Sequence, residues 1–179
     1  GKISSSLDSL IPLFDFETRF KNWPFLQPSC LVDTTFMEIS TPNLHPWEYY
    51  KQDKHCHCLV YQVVCSLGKT FRLLNFTGPF KGSAADVSIL RSTLVPILKY
   101  NEKIMADKGY HQEQTFCWCP PTGDVRTLSR EDKRKRRRVT RIRHLIERIN
   151  SRLKSWGCLR KKWSKSWRLH AMVAHVVVD

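Results

Sequence analysis

The sequence contains no apolar run that approaches the ~20 residues needed to cross a bilayer, and we therefore expect no transmembrane segment and no membrane partner. Its longest apolar stretch covers residues 59–67, where Gln62 and Ser66 interrupt it, as is typical of a strand. The N-terminus lacks the pattern of a secretory signal. The chain has no initial methionine and stops in a run of valines, so we expect it to be a fragment.

A disulfide framework is also missing. The 7 cysteines are odd in number and do not follow the spacing of a small secreted protein. We therefore expect reduced thiols and an intracellular protein. The chain has 179 residues, enough to bury a hydrophobic core without disulfides and to form one domain of ordinary size.

Acidic residues are few in relation to basic ones. The chain has 16 Asp and Glu residues and 30 Lys and Arg residues, which gives a formal net charge of +14. A charge of this size and sign favours a polyanionic partner. Nucleic acid is the first candidate, and an anionic membrane surface is the second.

Runs of apolar and β-branched residues predict three strands, at residues 30–39, 56–67 and 70–76, arranged as an antiparallel meander. Gly78-Pro79 and Gly82-Ser83 are expected to end this sheet. Helical spacing of apolar residues predicts a helix over 86–100, with Ser83 as a cap and a kink at Pro96. Short strands are predicted at 103–106 and 116–119.

A long helix with a basic beginning follows. Its apolar face consists of Val139, Ile142, Leu145, Ile146, Ile149 and Leu153, and Gly157 is the expected stop. This order of elements matches an α/β fold of the ribonuclease H-like type, a mixed sheet flanked by helices. We divide the chain into a lead-in at 1–28, a folded domain at 29–157 and a basic, Trp-containing extension at 158–179.

Three acids occupy positions that invite a chemical role. Asp33 lies within the first strand, where a charge is costly unless it is paired or bound to metal. Asp107 ends a buried strand just before Gly109, and Glu147 lies on the polar side of the long helix. Two strand acids and one helix acid can converge on a pair of Mg²⁺ or Mn²⁺ ions and support phosphoryl transfer. A solvated or salt-bridged role is the alternative for each acid.

Five short segments around these acids carry a resemblance to a known family. They read Leu31-Val32-Asp33-Thr34-Thr35, Tyr49-Tyr50-Lys51 followed by the strand to Val64, Gly82-Ser83-Ala84-Ala85-Asp86, Ala106-Asp107-Lys108-Gly109-Tyr110, and Ile146-Glu147-Arg148 with Leu153-Lys154 after it. In these motifs and their order, the chain resembles the DDE superfamily endonucleases of the PIF/Harbinger (IS5-like) transposase group. The resemblance covers residues 30–156.

The resemblance implies a catalytic domain with a ribonuclease H-like fold, a divalent metal cofactor, and cleavage and joining of DNA. It also implies that Asp33, Asp107 and Glu147 are the catalytic metal ligands. Thr34 departs from the pattern, since the first motif usually has a glycine there. Asp86 is a further candidate ligand, although a first-turn helix acid is its alternative role. We prefer Asp107 as the second acid because it lies at the tip of a strand.

A basic cluster precedes and accompanies Glu147. It consists of Lys133, Arg134, Lys135, Arg136, Arg137 and Arg138, continued along the helix by Arg143 and Lys154. These residues are candidates for binding DNA phosphates, and the run is also typical of a nuclear localisation signal. A solvated charged face is the alternative. We expect a nuclear protein if the source is a eukaryote.

Two further groups of residues have competing interpretations. Trp163 and Trp167 lie among basic residues and could stack on unpaired bases or anchor the core. Zinc-type ligands occur at His55, Cys56, His57, Cys58, Cys117 and Cys119. Their pairs are separated by one residue rather than the two to four usual in zinc sites, and alternation along a strand explains Cys56 and Cys58 as one buried face.

The sequence thus predicts a metal-dependent DNA endonuclease or transposase domain. The first alternative is an inactive, transposase-derived domain that binds DNA or protein, and the second is a basic RNA-binding protein. The chain shows no clear helix-turn-helix, so target recognition is expected to reside in a missing segment or a separate DNA-binding partner protein. A homo-oligomer is also expected.

Overall fold

The computed structural model describes residues 28–67 and 72–178, and the predicted lead-in lies outside them apart from Pro28. One mixed sheet contains β1 (Cys30–Glu38), β2 (Tyr50–Lys51), β3 (Cys56–Ser66), β4 (Leu73–Lys81), β5 (Ile104–Met105) and β6 (Cys117–Trp118). The α-helices are α1 (Asp86–Thr93), α2 (Arg130–Leu153), α3 (Gly157–Arg160) and α4 (Trp167–Val178). Short 3-10 helices lie at Pro46–Tyr49, Gln52–Lys54, Val95–Ile97 and Lys108–Glu113.

The sheet has an antiparallel half and a parallel half. β3 pairs antiparallel with β1 on one side and with β4 and β2 on the other. β5 lies parallel to β1 and β6 lies parallel to β5. This order of strands, with helices against the sheet, is the ribonuclease H-like arrangement, and it confirms the predicted fold class.

The two faces of the sheet are covered by different helices. On one face, Leu31 and Val63 pack with Ile146 of α2 and Ala174 of α4. On the other face, Val32 and Val64 pack with Leu90 of α1. Because side chains alternate along a strand, Asp33 follows Leu31 towards the face that α2 covers. The apolar residues predicted to form one face of α2 lie in or against this core, so the predicted buried face of α2 is confirmed.

Two predicted boundaries in this region are wrong. β4 does not stop at residue 76 but runs through Gly78-Pro79 to Lys81, a course open to proline because β4 is an edge strand. The helix predicted over 86–100 ends at Thr93, and a 3-10 helix containing Pro96 follows. Proline lacks the backbone N–H that would continue the helix, and it disfavours helical geometry in the residue before it. Ser83 does not cap this helix, because its hydroxyl donates to the Glu48 carbonyl.

The basic run belongs to α2, which begins earlier than its apolar face suggests. Ser129 accepts a hydrogen bond from the Asp132 backbone N–H and caps the helix, and Glu131 and Asp132 lie in the first turn. Acids at that end are favoured by the helix dipole and offset the cationic residues that follow. The helix thus carries its positive residues as a continuous rigid surface.

The segment after α2 packs on the same core as the rest of the sheet. Leu159 of α3 and Ala171 and Ala174 of α4 are buried, and Ile39 after β1 bridges to Trp163. The predicted division of the chain at residue 157 stays a prediction. Among the described residues, no helix is both long and apolar enough to cross a membrane.

Candidate active site

Asp33 is held in place by two hydrogen bonds from different elements. Its Oδ1 accepts from the Thr34 backbone N–H at 2.9 Å, and its Oδ2 accepts from Asn150 Nδ2 of α2 at 3.3 Å. Burial in the sheet raises its pKa from 3.8 to about 6, and the charges of Asp86 and Asp107 act in the same direction. The Thr34 hydrogen bond and Arg143 oppose that rise in pKa without cancelling it.

Asp86 and Asp107 reach the same region from two other segments. Asp86 is the first residue of α1, and its Oδ1 lies 3.9 Å from Lys51 Nζ. Asp107 follows β5 and accepts a hydrogen bond from the Lys108 backbone N–H at 2.5 Å. Its Oδ1 also lies 3.1 Å from Arg143 Nη1. The charges of Asp33, Asp86 and Asp107 all act to raise the pKa of buried Tyr110 beyond the rise that burial causes. The three aspartates therefore act electrostatically on one region, and we call them the acid cluster.

Glu147 lies at the edge of this cluster rather than inside it. Its side chain is 53% exposed, with Oε2 3.1 Å from His144 Nδ1 and Oε1 3.9 Å from Arg143 Nη2. Arg143 thus lies between Asp107 and Glu147 and contacts both. Among the described residues, no three His, Cys, Asp or Glu side chains are close enough to hold one metal ion. The role of Glu147 as a ligand stays a prediction.

Asn150 is a site residue that the sequence reasoning missed. It lies three residues after Glu147, so the two side chains share one face of α2. That spacing was visible in the sequence, but an amide has no conspicuous charge. In the structure Asn150 donates a hydrogen bond to Asp33 from α2.

Asp33 and Asp86 line a cleft of about 290 Å³, whereas Asp107 and Glu147 are not among its lining residues. Acids, lysines and uncharged side chains share its lining, which consists of Asp33, Thr34, Thr35, Phe36, Lys51, Asp53, Lys54, Val60, Asp86, Asn150 and Lys154. Two buried oxygens there, Asp86 Oδ1 and Asn150 Oδ1, have no hydrogen-bond partner. Carboxylate and amide oxygens are the donors that Mg²⁺ and related hard cations prefer. The type of donor therefore suits a divalent metal ion, although the described acids are not grouped closely enough to bind one ion with three carboxylates.

A second, larger surface groove of about 800 Å³ runs beside the beginning of α2. Its lining is mostly cationic and consists of Val125, Arg126, Lys133, Arg136, Arg137, Thr140, Arg141 and His144. We call it the basic groove. Three predicted DNA-binding residues line it, and the sequence reasoning missed Arg126, Arg141 and His144. Arg126 comes from a loop, and its place in the groove depends on tertiary packing.

The remaining predicted DNA-binding residues lie elsewhere. Lys135 Nζ stands 5.3 Å from the centre of the Trp118 ring, and Arg134 is exposed. Arg143 joins the acid cluster, and Lys154 lines the cleft. The side chain of Arg138 is outside the described part of the structure.

The cysteines and tryptophans have structural surroundings. Cys56 and Cys58 pack with Val60 and Ile89, as expected for one face of a strand. Trp163 and Trp167 are partly buried against the core, and the Trp163 ring lies edge-on to His170. These contacts support an anchoring role for both tryptophans.

A mixed sheet with acids in its central strand β1 and just after β5, both facing one long helix, is the arrangement of ribonuclease H-like nuclease domains. The family model described as DDE superfamily endonuclease matches residues 32–178, and the chain belongs to that family. The match includes α3 and α4 and does not distinguish the PIF/Harbinger subgroup. No curated protein and no solved structure matches the chain at a significant level.

Proposed function

We propose that this domain cleaves phosphodiester bonds in DNA with the help of Mg²⁺ or Mn²⁺ and joins the resulting strands. Asp33, Asp107 and Glu147 would hold the ions, with Asp86 and Asn150 as further oxygen donors. One observation carries the proposal: Asp86 and Asp107, from two other segments, act electrostatically on buried Asp33, and the buried oxygens Asp86 Oδ1 and Asn150 Oδ1 lack hydrogen-bond partners. Such a group is unfavourable unless a cation is present.

A divalent metal held by these residues would supply Lewis-acid activation of the nucleophile and charge compensation at the leaving oxygen. The protein's own part is to fix the donors. The Thr34 N–H and Asn150 Nδ2 orient the two oxygens of Asp33, and the Lys108 N–H orients Asp107. Arg143 pairs with Asp107 at 3.1 Å and with Glu147 at 3.9 Å, so it offsets part of their charge while no ion is bound.

A nicking assay tests this proposal. The full chain is incubated with supercoiled plasmid DNA and Mn²⁺, and conversion to the open circular form is measured. Asp107→Ala is expected to abolish nicking because it removes a donor after β5. Glu131→Ala, which removes an exposed acid from the first turn of α2, is expected to leave nicking unchanged. Equal nicking by Asp107→Ala and the unaltered chain would contradict the proposal.

A second candidate function is DNA binding without cleavage. It is favoured by Arg143, which gives Asp107 and Glu147 a counter-charge built into the chain, and by the basic groove, whose lining contains no acid. A binding domain retains its full affinity for DNA in EDTA and nicks nothing in Mn²⁺. DNA as the partner, nuclear location, self-association and a separate target-recognition protein stay predictions under both functions.

A further inference from the structure

Trp156 is a large aromatic side chain that the packing of the domain leaves in solvent. It lies between α2 and α3 and is 57% exposed. Trp163 and Trp167, by contrast, are partly buried against the core. Within the described residues, the exposed tryptophans are Trp47 and Trp156. Exposure alone does not identify a binding residue, so the surroundings of each ring decide what it can do.

The backbone holds Trp156 in one place. Its N–H donates to the Leu153 carbonyl at 3.3 Å, and its own carbonyl accepts from the N–H groups of Leu159 and Arg160 at 3.0 and 3.1 Å. Leu153 and Leu159 are buried, so the tryptophan is mounted between two residues of the core. A Cβ at the neighbouring Gly157 would meet no atom within 4 Å. The indole is therefore attached to a fixed backbone and has open space beside it.

The residues around Trp156 are cationic. Residues 148–178 contain no Asp or Glu, whereas Lys and Arg recur throughout them. Arg152, Arg160 and Lys161 are exposed, and Arg160 lies one helical turn after Trp156, on the same side of α3. A cationic surface that includes an aromatic ring complements a polyanion that carries flat rings. A single strand of nucleic acid has this chemistry.

The place of Trp156 in the fold relates it to the cleft and not to the basic groove. Lys154, which lines the cleft, is two residues earlier, and two residues span at most about 7 Å. The basic groove lies beside the beginning of α2, roughly 25 Å away along the helix axis. A strand that occupies the cleft therefore passes close to Trp156.

We infer that Trp156 stacks on an unpaired base of the DNA strand that the cleft holds. The inference rests on the proposed function, because it takes the cleft as the place of the strand that is cut. Duplex DNA offers ring faces only at its ends, so this surface takes a strand whose bases are unpaired. It does not read base sequence, since every base has an aromatic face.

Two DNA strands of equal length and charge test this inference, an octathymidylate and an octamer of abasic sites, because they differ only in their bases. Binding to the full chain is measured by fluorescence anisotropy of the labelled strands in EDTA. The unaltered chain is expected to bind octathymidylate roughly 5- to 100-fold more tightly, as stacking of one base gives. Trp156→Ala is expected to lose this preference while its affinity for the abasic strand is unchanged. Trp156→Phe is expected to keep most of it, because a phenyl ring also stacks.

The matched control is Trp47→Ala. It removes an indole that is 67% exposed from the Pro46–Tyr49 helix, where the next residue is Glu48. Trp47 thus lacks the continuous cationic surroundings of Trp156, and its loss is expected to leave the preference for octathymidylate intact. Because both side chains are exposed, neither replacement disturbs the core.

The inference is overturned if Trp156→Ala keeps the preference, if Trp47→Ala loses it as well, or if the unaltered chain does not distinguish the two strands. Self-association of the chain that depends on Trp156, without any preference for bases, also overturns it and makes the ring part of a protein interface. The nicking assay reports separately on the proposed function. Nicking without a preference that depends on Trp156 contradicts the inference alone. The preference without nicking supports the stacking and contradicts the proposed cleavage.

Discussion

The carboxylate of Asp33 is buried in the sheet, and few neighbouring groups offset its negative charge. Burial dominates its raised pKa, and the nearest compensating groups are a backbone N–H, an amide and an arginine that also serves Asp107. The position in the middle of β1 was predictable from sequence, because an acid interrupts an apolar strand there. The contact with Asn150 was not, because it depends on how α2 crosses the sheet.

Asp33→Asn is expected to stabilise the metal-free protein. The raised pKa means that the ionised form is disfavoured in the folded state, so above pH 6 an amide should increase the free energy of unfolding by about 1–3 kcal/mol. The same change removes a metal donor. In a thermal-shift assay we therefore expect a higher Tm in EDTA and a loss of the increase that Mg²⁺ produces in the unaltered chain. A lower Tm in EDTA would show that the charge is compensated.

Arg143→Ala is expected to strengthen binding of Mn²⁺ by about 5- to 10-fold, the equivalent of ~1 kcal/mol. The guanidinium contacts Asp107 at 3.1 Å and Glu147 at 3.9 Å, and a metal ion must compete with it for both carboxylates. The measurement is a Mn²⁺ titration followed by the increase in Tm. Arg148→Ala, which removes an exposed arginine of the same helix, is the control and should leave the titration unchanged. Unchanged or weaker binding by Arg143→Ala would mean that the arginine does not compete with the ion.

At the scale of elements, the Pro46–Tyr49 helix is docked on the turn that leads from β4 to α1. Ser83 donates from both its backbone N–H and its hydroxyl to the Glu48 carbonyl, and Lys81 Nζ lies 2.6 Å from Glu48 Oε2. Gly82 makes this approach possible, because a Cβ there would lie 2.1 Å from the Tyr49 carbonyl oxygen. Lys51 and Asp86, which follow the two docked segments, lie 3.9 Å apart and both line the cleft.

Gly82→Ala is accordingly expected to lower the free energy of unfolding by at least ~1–3 kcal/mol, since the obstructing atoms are backbone and cannot rotate away. Gly109→Ala is the matched control, because a Cβ at Gly109 meets no atom within 4 Å. It should change stability by no more than about 0.5 kcal/mol. Urea unfolding of both variants gives the comparison. Equal stabilities would mean that the Pro46–Tyr49 helix moves away at little cost.

The elements also show where sequence patterns were reliable. β1, β3 and the apolar face of α2 were predictable because each has an apolar run or helical period long enough to identify. The boundaries of β4 and α1 were not, because Gly78-Pro79 was taken to end the strand and Pro96 was taken only to kink the helix. Pro79 lies within β4, an edge strand where a missing backbone N–H is tolerated. Pro96 lies in the 3-10 helix that follows the end of α1 at Thr93. The chain neighbours of proline do not reveal which strand is at the edge.

At the scale of the whole molecule, α4 closes one face of the sheet with two buried histidines. His170 Nδ1 lies 2.8 Å from the Tyr61 hydroxyl, its ring is edge-on to Trp163, and its Nε2 has no partner. Burial lowers its pKa from 6.5 to about 4. In the unfolded chain His170 takes up a proton below pH 6.5, whereas in the folded protein it does so only near pH 4. Its contribution to stability is therefore present above pH 6.5 and is lost as the pH falls from 6.5 to 4.

His170→Gln is expected to remove that part of the pH dependence, which amounts to about 1–3 kcal/mol. The free energy of unfolding in urea is measured at pH 7.5 and pH 4.5 for the variant and the unaltered chain. Because its pKa is raised, Asp33 increases the free energy of unfolding as the pH falls below about 6. The quantity to compare is therefore the change in free energy of unfolding between the two pH values, in the variant and in the unaltered chain. His55→Asn serves as the control, since His55 is exposed and asparagine tolerates its left-handed backbone. A variant that loses as much stability on acidification as the unaltered chain would contradict the assignment.

The net charge of +14 is not spread evenly over the molecule, because α2 concentrates it along the basic groove. Each phosphate contact that releases counter-ions steepens the salt dependence of DNA binding by ~0.9 in the logarithmic slope. Replacement of Arg136, Arg137 and Arg141 by glutamine should therefore weaken binding of duplex DNA in EDTA and reduce the slope by about 2–3. Replacement of Arg160, Lys161 and Lys165, which are exposed beyond α2, removes the same charge and should change the slope far less. If both triple variants lose affinity equally, net charge and not the groove determines DNA binding, and α2 would then be only a solvated basic surface.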